Sequence, residues 1–304
     1  MSSFDMDKKL IHLDLSHNTL SGAIPSSLFA ILLLQSIQLP NNQFSQLDGF
    51  KMPKWIWKLQ NLQSLNISHN LLTHLETPLQ NLTLNLYVLD LHHNKFQGPI
   101  PVFFKNAIYL DYLSNKFNSL IPGDTGNYLS FTIFLSLSNN TLHSSIPDSL
   151  CIASYLEVLD LSIKKISRTI PSCLINMSET FRILNLRNNK IKGLIPNMFS
   201  ASCALRTLDL HLNKLHGQIL KSLANCTMLQ VLNLGENEIT IVFLWLLKRI
   251  STLWIHDKNF TRWEAMMSSD NQVESKVKHI QFQFLQFEGQ AYYQDCGTII
   301  SKGI

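Results

Sequence analysis

One phrase recurs along this chain and limits what it can fold into. Leu10 to Pro25 reads LIHLDLSHNTLSGAIP, which is L-x-x-L-x-L-x-x-N-x-L followed by x-G-x-I-P. Its first apolar position returns at Leu34, Leu62, Leu86, Ala107, Thr132, Leu156, Phe181, Leu205 and Leu229, in steps of 24, 28, 24, 21, 25, 24, 25, 24 and 24 residues. A single copy is too short to bury its own apolar side chains. Consecutive copies must therefore coil and stack, each covering its neighbours. The chain is expected to be a solenoid.

A period in the twenties with this Leu and Asn spacing is the signature of the leucine-rich repeat. The fold class that follows is α/β, a right-handed, horseshoe-like superhelix. In each copy the segment around the second and third Leu alternates apolar and polar residues, which predicts a short strand on the concave face. The Asn that follows is read as structural, its amide donating to and accepting from backbone groups at the bend. It stands at Asn18, Asn42, Asn70, Asn94, Asn115, Asn140, Asn189, Asn213 and Asn237, and is replaced by Lys164 in the copy from Leu156. Lysine accepts no hydrogen bond, so a weak coil is expected there. The Gly and Ile-Pro that close most copies suit a sharp turn and an extended segment, predicting a second, lateral strand and short helices on the convex side.

Three segments follow from this reading. Residues 1–9 form a polar lead-in without a cap, residues 10–252 hold about ten repeats, and residues 253–304 hold a degenerate repeat and a tail. Leu253 to Asn259 spans six residues where intact copies span eight, and no repeat is legible from Thr261 onward. Trp55 and Trp57, in the longest copy, are expected to pack on the core edge. Charged residues make up only 15% and hydrophobic ones 45%, a globular balance. The net charge of +4 is scattered between repeats, which speaks against nucleic acid.

Compartment signals point in two directions. MSSFDMDKKL has no apolar region behind it of the kind a secretory signal needs, and the longest apolar runs are seven residues, too short for a bilayer. Taken as written, the chain is expected to be neither secreted nor anchored. Yet six glycosylation sequons occur, at Asn66, Asn81, Asn139, Asn176, Asn225 and Asn259. Cys151 and Cys173 are 22 residues apart, and Cys203 and Cys226 are 23 apart, roughly one coil each. Residues one coil apart lie about 5 Å from each other, within disulfide reach, so these are either two disulfides or buried free thiols. Cys296 is left over.

The L-x-x-L-x-L-x-x-N-x-L-x-G-x-I-P phrase resembles the plant-specific class of leucine-rich repeats, found in extracellular domains of receptor-like kinases, receptor-like proteins and polygalacturonase inhibitors. More narrowly, Gly126-Asn127-Tyr128-Leu129-Ser130-Phe131, Ser222-Leu223-Ala224-Asn225-Cys226-Thr227, Trp263-Glu264-Ala265-Met266-Met267 and Tyr292-Tyr293-Gln294-Asp295 with Ser301-Lys302-Gly303 resemble receptor-like proteins of the Verticillium wilt resistance type. Cys296-Gly297 departs from that pattern. The resemblance implies a cell-surface ectodomain at the plasma membrane that senses pathogen-derived protein or peptide ligands. It further implies signalling through a partner receptor-like kinase, as co-receptor or adaptor, and makes residues 261–304 an interrupting island.

No catalytic motif is legible, so no catalytic residue, cofactor or metal is expected. His17, His69, His92, His93 and His211 precede the Asn column, and only His69, His92 and His93 lie on adjacent coils. They are read as solvated surface residues. Asp14, Asn66, Asp90, Asp111, Asp160, Asn185, Asp209 and Asn233 form a second column, read as strand filler with no raised-pKa carboxyl among them. For ligand binding the candidates are large or cationic residues on the concave strands, namely Tyr87, Tyr109, Phe134, Arg182, Arg187 and Arg206, because aromatics and arginine concentrate interface energy. Some of these rings are equally well explained as cover for the sheet. By resemblance, Tyr292, Tyr293 and Asp295 form a second set. Two alternatives stand beside the receptor reading: a soluble inhibitor of a cell-wall hydrolase, and a truncated product without independent function.

Overall fold

In the computed structural model the described residues are 9–24, 28, 31–47, 59–73, 86–100, 103–163, 165–218, 221–240, 252–254, 286–287 and 290–291. Met1–Asp257 forms one unit and Lys258–Ile304 another. The second unit holds an antiparallel pair, Gln286–Phe287 with Gln290–Ala291. Trp55, Trp57, Lys164 and Cys296 lie outside the described residues.

The first unit is a stack of coils joined by an eleven-stranded parallel sheet. Its strands are β1 (His12–Asp14), β2 (Ser36–Gln38), β3 (Ser64–Asn66), β4 (Val88–Asp90), β5 (Tyr109–Asp111), β6 (Phe134–Ser136), β7 (Val158–Asp160), β8 (Ile183–Asn185), β9 (Thr207–Asp209), β10 (Val231–Asn233) and β11 (Thr252–Trp254). Each is three residues long because the chain must leave the sheet again to complete its coil. Their middle residues run in register: Leu13, Ile37, Leu65, Leu89, Leu110, Leu135, Leu159, Leu184, Leu208, Leu232 and Leu253. From Ile37 to Leu232 every member of this column is buried. Burying one such side chain contributes about 2 kcal/mol, repeated once per coil. The shortened copy at Leu253 still supplies its strand, paired with β10.

The second, lateral strand is present in most described coils. A five-stranded sheet joins His143–Ser144, Lys165–Arg168, Lys190–Gly193, Lys214–Gln218 and Glu238–Thr240. Two further pairs match Ser21–Ile24 with Gln43–Leu47 and Gln97–Gly98 with Lys116–Phe117. The isoleucine before each proline turns inward: Ile100, Ile121, Ile146 and Ile170 are all buried. The convex side carries short helical turns, among them Thr125–Tyr128, Asp148–Ile152 and the helix α1 (Ser172–Asn176). Cys151 is joined to Cys173 and Cys203 to Cys226, each disulfide stapling one coil to the next.

The asparagine column bonds across coils. Asn140 Nδ2 donates to the carbonyls of Tyr112, Leu137 and Ser138, while its Oδ1 accepts from Phe117 N–H at 3.1 Å. Asn42, Asn70, Asn94, Asn115, Asn189, Asn213 and Asn237 repeat this arrangement. The residue just before each is left-handed, including His17, Asn41, His69, His93, Ser114, Asn139, Asn188, Leu212 and Glu236. In the coil from Leu156 this place falls to Ile163, at φ 53°. A β-branched residue is strained there.

The same coil also lacks its amide. Leu142, whose N–H would be served from position 164, is fully buried and has no acceptor for that N–H among the described residues. Lys164→Asn is therefore expected to raise stability by about 1–2 kcal/mol by serving that group. Ile163→Asn should add up to about 1 kcal/mol by relieving the left-handed isoleucine. Thermal melts of the two single variants and the double variant check this, and an unchanged melt for Lys164→Asn would refute it.

Candidate functional site

One residue ahead of each inner strand, the chain presents a side chain on a single margin of the sheet. Glu157, Arg182 and Arg206 hold this place ahead of β7, β8 and β9. The backbone fixes their spacing: Arg182 N–H donates to Glu157 O and Arg206 N–H to Arg182 O, both at 2.8 Å. Three polar side chains are thereby set about one strand spacing apart. Arg182 Nε meets Glu157 Oε2 at 2.7 Å, with the two side chains 40% and 31% exposed. A pair so open to solvent contributes less than about 1 kcal/mol, so it positions the guanidinium more than it stabilises the fold. Arg206 has no carboxylate partner among the described residues.

These residues line an open groove of about 430 Å³. Tyr155 forms one wall, and Phe131, one coil earlier, stacks on it with ring centroids 6.5 Å apart. Met228 lines the groove as well, and Tyr155, Phe131 and Met228 are all more than half exposed. Glu179 also lines the groove and accepts a hydrogen bond from the Ser200 hydroxyl. The arrangement offers one guanidinium with no described carboxylate on it, a second one held by a carboxylate, and an exposed aromatic and thioether surface. That combination suits an extended peptide carrying an acidic group.

The concave candidates separate in three dimensions. Arg182 and Arg206 meet in the groove, while Tyr87 is half-buried on the same margin ahead of β4. Arg187 is exposed beyond β8, near Asp209, whose carboxyl is raised by burial. Tyr109 and Phe134 contradict the expectation of displayed rings: each is 1% exposed. Their rings, register partners on β5 and β6, stack with centroids 4.4 Å apart, and Tyr109 OH donates to Asp111. Strand spacing lays ring on ring, so they cover the sheet. Tyr292, Tyr293 and Asp295 lie outside the described residues.

Among the sequons, Asn139, Asn176 and Asn225 are exposed. Asn66 is not: it is buried, and its Oδ1 accepts from both the N–H and the hydroxyl of Ser68, which corrects its reading as a glycan acceptor. Asn81 and Asn259 fall outside the described residues. The wall residues Tyr155 and Met228, and Phe131 stacked behind Tyr155, were not among the sequence candidates. Phe131 and Tyr155 stand 24 residues apart, one coil, so their stacking was legible from the step itself.

A second group lies further back on the inner face, where the histidine and carboxylate columns meet. Asp90 and Asp111 are in register on β4 and β5, both 3% exposed. His92 Nδ1 lies 2.5 Å from Asp90 Oδ1 and 3.7 Å from Asp111 Oδ2. Rings of His69 and His93 pack beside it, with centroids 4.6 and 5.3 Å from that of His92. Burial, and then the Asp90 charge, push the Asp111 carboxyl up to about 7. Burial works against a charged His92, yet Asp90 and then Asp111 outweigh it and push that imidazole up to about 9. Burial, with His92 and His93 behind it, lowers His69 to about 4. This corrects the expectation that the carboxylate column holds no raised-pKa group: two carboxylates one short coil apart are buried together.

The comparisons agree with this architecture. The family model for the Leucine Rich Repeat matches residues 9–31, 85–107, 180–202 and 204–226, a structural repeat rather than a catalytic family. Receptor-like protein 53 of Arabidopsis thaliana is 27% identical over 322 residues, covering 98% of this chain and 31% of that protein. Receptor-like protein 7 of Arabidopsis thaliana is 32% identical over 115 residues, covering 38% of this chain and 11% of that protein. The chain thus spans a third or less of the length of these relatives. Among solved structures, the plant peptide hormone receptor RGFR1 in complex with RGF2 superposes with a TM-score of 0.71 at 26% identity, over 82% of this chain and 40% of that one. Repeat phrase, stacked parallel strands and relatives converge: the chain is a leucine-rich-repeat solenoid, similar to plant receptor-like proteins.

Proposed function

We propose that this chain is part of the ligand-binding ectodomain of a plant cell-surface receptor-like protein, and that it receives a peptide with an acidic group along the margin of its inner sheet. The observation that carries the reading is the groove in which Arg206, without a carboxylate partner among the described residues, stands beside the Glu157–Arg182 pair and the Phe131–Tyr155 stack. Support for a peptide comes from the similar solenoid of RGFR1, a peptide hormone receptor whose structure is a complex with RGF2. Sensing of pathogen-derived ligands, signalling through a partner receptor kinase and placement on the outer face of the plasma membrane belong to this proposal through the sequence resemblance to the Verticillium wilt resistance type. Among the described residues no helix is long and apolar enough to cross a membrane.

The test is a binding screen of the secreted chain against acidic peptides and pathogen culture filtrates. Arg206→Ala and Arg182→Ala are each expected to weaken capture by about tenfold or more, since arginine anchors at an open groove carry a large share of interface energy. Arg187→Ala, beyond the far end of the strands, should leave it unchanged. Equal capture by all three variants would overturn the placement of the site. Inhibition of a cell-wall hydrolase by the chain, with no peptide captured, would overturn the receptor reading itself.

A further inference from the structure

The inner face carries a second constellation, independent of the groove. We propose that Asp90, His92 and Asp111 form a binding site for a divalent transition-metal ion of the zinc class, with His69 and His93 flanking it. One donor atom from each of the three residues lies within 4.8 Å of the other two, drawn from neighbouring coils. Donors about 2 Å from one tetrahedral zinc lie about 3.3 Å from one another, so small side-chain rotations that open the His92–Asp90 contact from 2.5 Å and draw Asp111 in from 3.7 Å complete the set. Two carboxylate oxygens with one imidazole nitrogen form a mixed set that suits zinc or manganese better than calcium or magnesium, which take oxygen alone.

One observation outside the donor geometry points the same way. Ser136, the register partner of Asp111 on β6, is 2% exposed, and its hydroxyl has no hydrogen-bond partner among the described residues. Polar atoms so placed are costly unless something satisfies them. A water held on a cation at the two carboxylates does so for this hydroxyl. With His92 as a neutral ligand and both carboxylates ionised, a divalent ion balances the charge of the cluster. Asp111 already holds Leu113 N–H and Tyr109 OH, which orient its carboxylate as surrounding groups orient metal ligands elsewhere. Bound there, the ion ties the Leu86 coil to the Ala107 coil across the inner sheet.

The experiment is a titration of the chelator-treated chain with zinc chloride, followed calorimetrically, with cobalt chloride in parallel for its visible absorption. The expected result is one ion per chain, a higher melting temperature with zinc but not with magnesium, and cobalt bands of a mixed nitrogen and oxygen site. Asp111→Asn and His92→Gln should each weaken zinc binding by more than about tenfold, whereas His17→Gln should not. His92→Gln, at a half-buried position, keeps the test decisive should Asp111→Asn fail to fold. No stoichiometric binding by the unsubstituted chain, or binding that survives His92→Gln, would overturn the site.

Discussion

Replacing Asn140 with alanine is expected to destabilise the solenoid by about 3–5 kcal/mol, although the change removes no apolar contact. The cost lies in what the amide leaves behind. Phe117 N–H loses its acceptor and the Leu137 carbonyl its donor among the described residues, while the carbonyls of Tyr112 and Ser138 keep Asn115 Nδ2 and Ser114 N–H. Phe117 belongs to the preceding coil and Leu137 to the coil of Asn140 itself, and both are buried, so water cannot stand in for the amide at these two groups. Each buried group left unpaired costs about 1–3 kcal/mol. Asn18→Ala is the matched control. Among the described residues its Nδ2 donates only to Leu15 O and Ser16 O in its own exposed coil, so a loss below about 1 kcal/mol is expected. Chemical denaturation of the two variants checks both numbers. Equal losses would mean that the column acts within each coil and does not join one coil to the next.

The contrast between these asparagines shows what was legible in the sequence and what was not. The step from Leu10 to Leu229 fixed the strands, and the in-register column from Leu13 to Leu253 follows from it without further information. The asparagine column and the lateral strands follow as well, because both repeat with the coil. Side-chain exposure did not follow. Alternation places Tyr109 and Phe134 on the concave face, but their burial depends on which ring the adjacent coil sets beside each, a property of two repeats read together. Asp90 and Asp111 stand one short coil of 21 residues apart, which is the step from Leu86 to Ala107, and His92 follows two residues after the first. Reading the histidine and carboxylate columns apart hid their meeting. The groove was half legible: Arg182 and Arg206 follow from residue type and register, while Tyr155 and Met228 lie between turn and strand, where the repeat phrase prescribes nothing.

Gly126→Ala is the second substitution with a large expected effect, a loss of about 3 kcal/mol or more, and its cause is backbone meeting backbone. A Cβ at Gly126 would lie 1.7 Å from Ser149 O, 2.2 Å from Ser149 C and 2.9 Å from Leu150 N. These atoms belong to the turn Asp148–Ile152 of the next coil, which the turn Thr125–Tyr128 touches directly, Gly126 N–H donating to Ser149 Oγ at 3.0 Å. No flexible side-chain end can yield, so the two turns must separate, and overpacking of this kind costs about 1–3 kcal/mol or more. The far turn cannot retreat freely, because Cys151 at its end is bonded to Cys173 in α1 of the coil beyond. The strain is therefore shared across three coils and tied to the disulfide. Gly123→Ala, where an added Cβ meets nothing within 4 Å, should stay within about 0.5 kcal/mol of the parent. In a background where Cys151 and Cys173 are both serine, the cost of Gly126→Ala should fall, because the turn is then released. If the cost is the same with and without the disulfide, the clash is absorbed between the two turns alone, and the convex side transmits nothing from coil to coil.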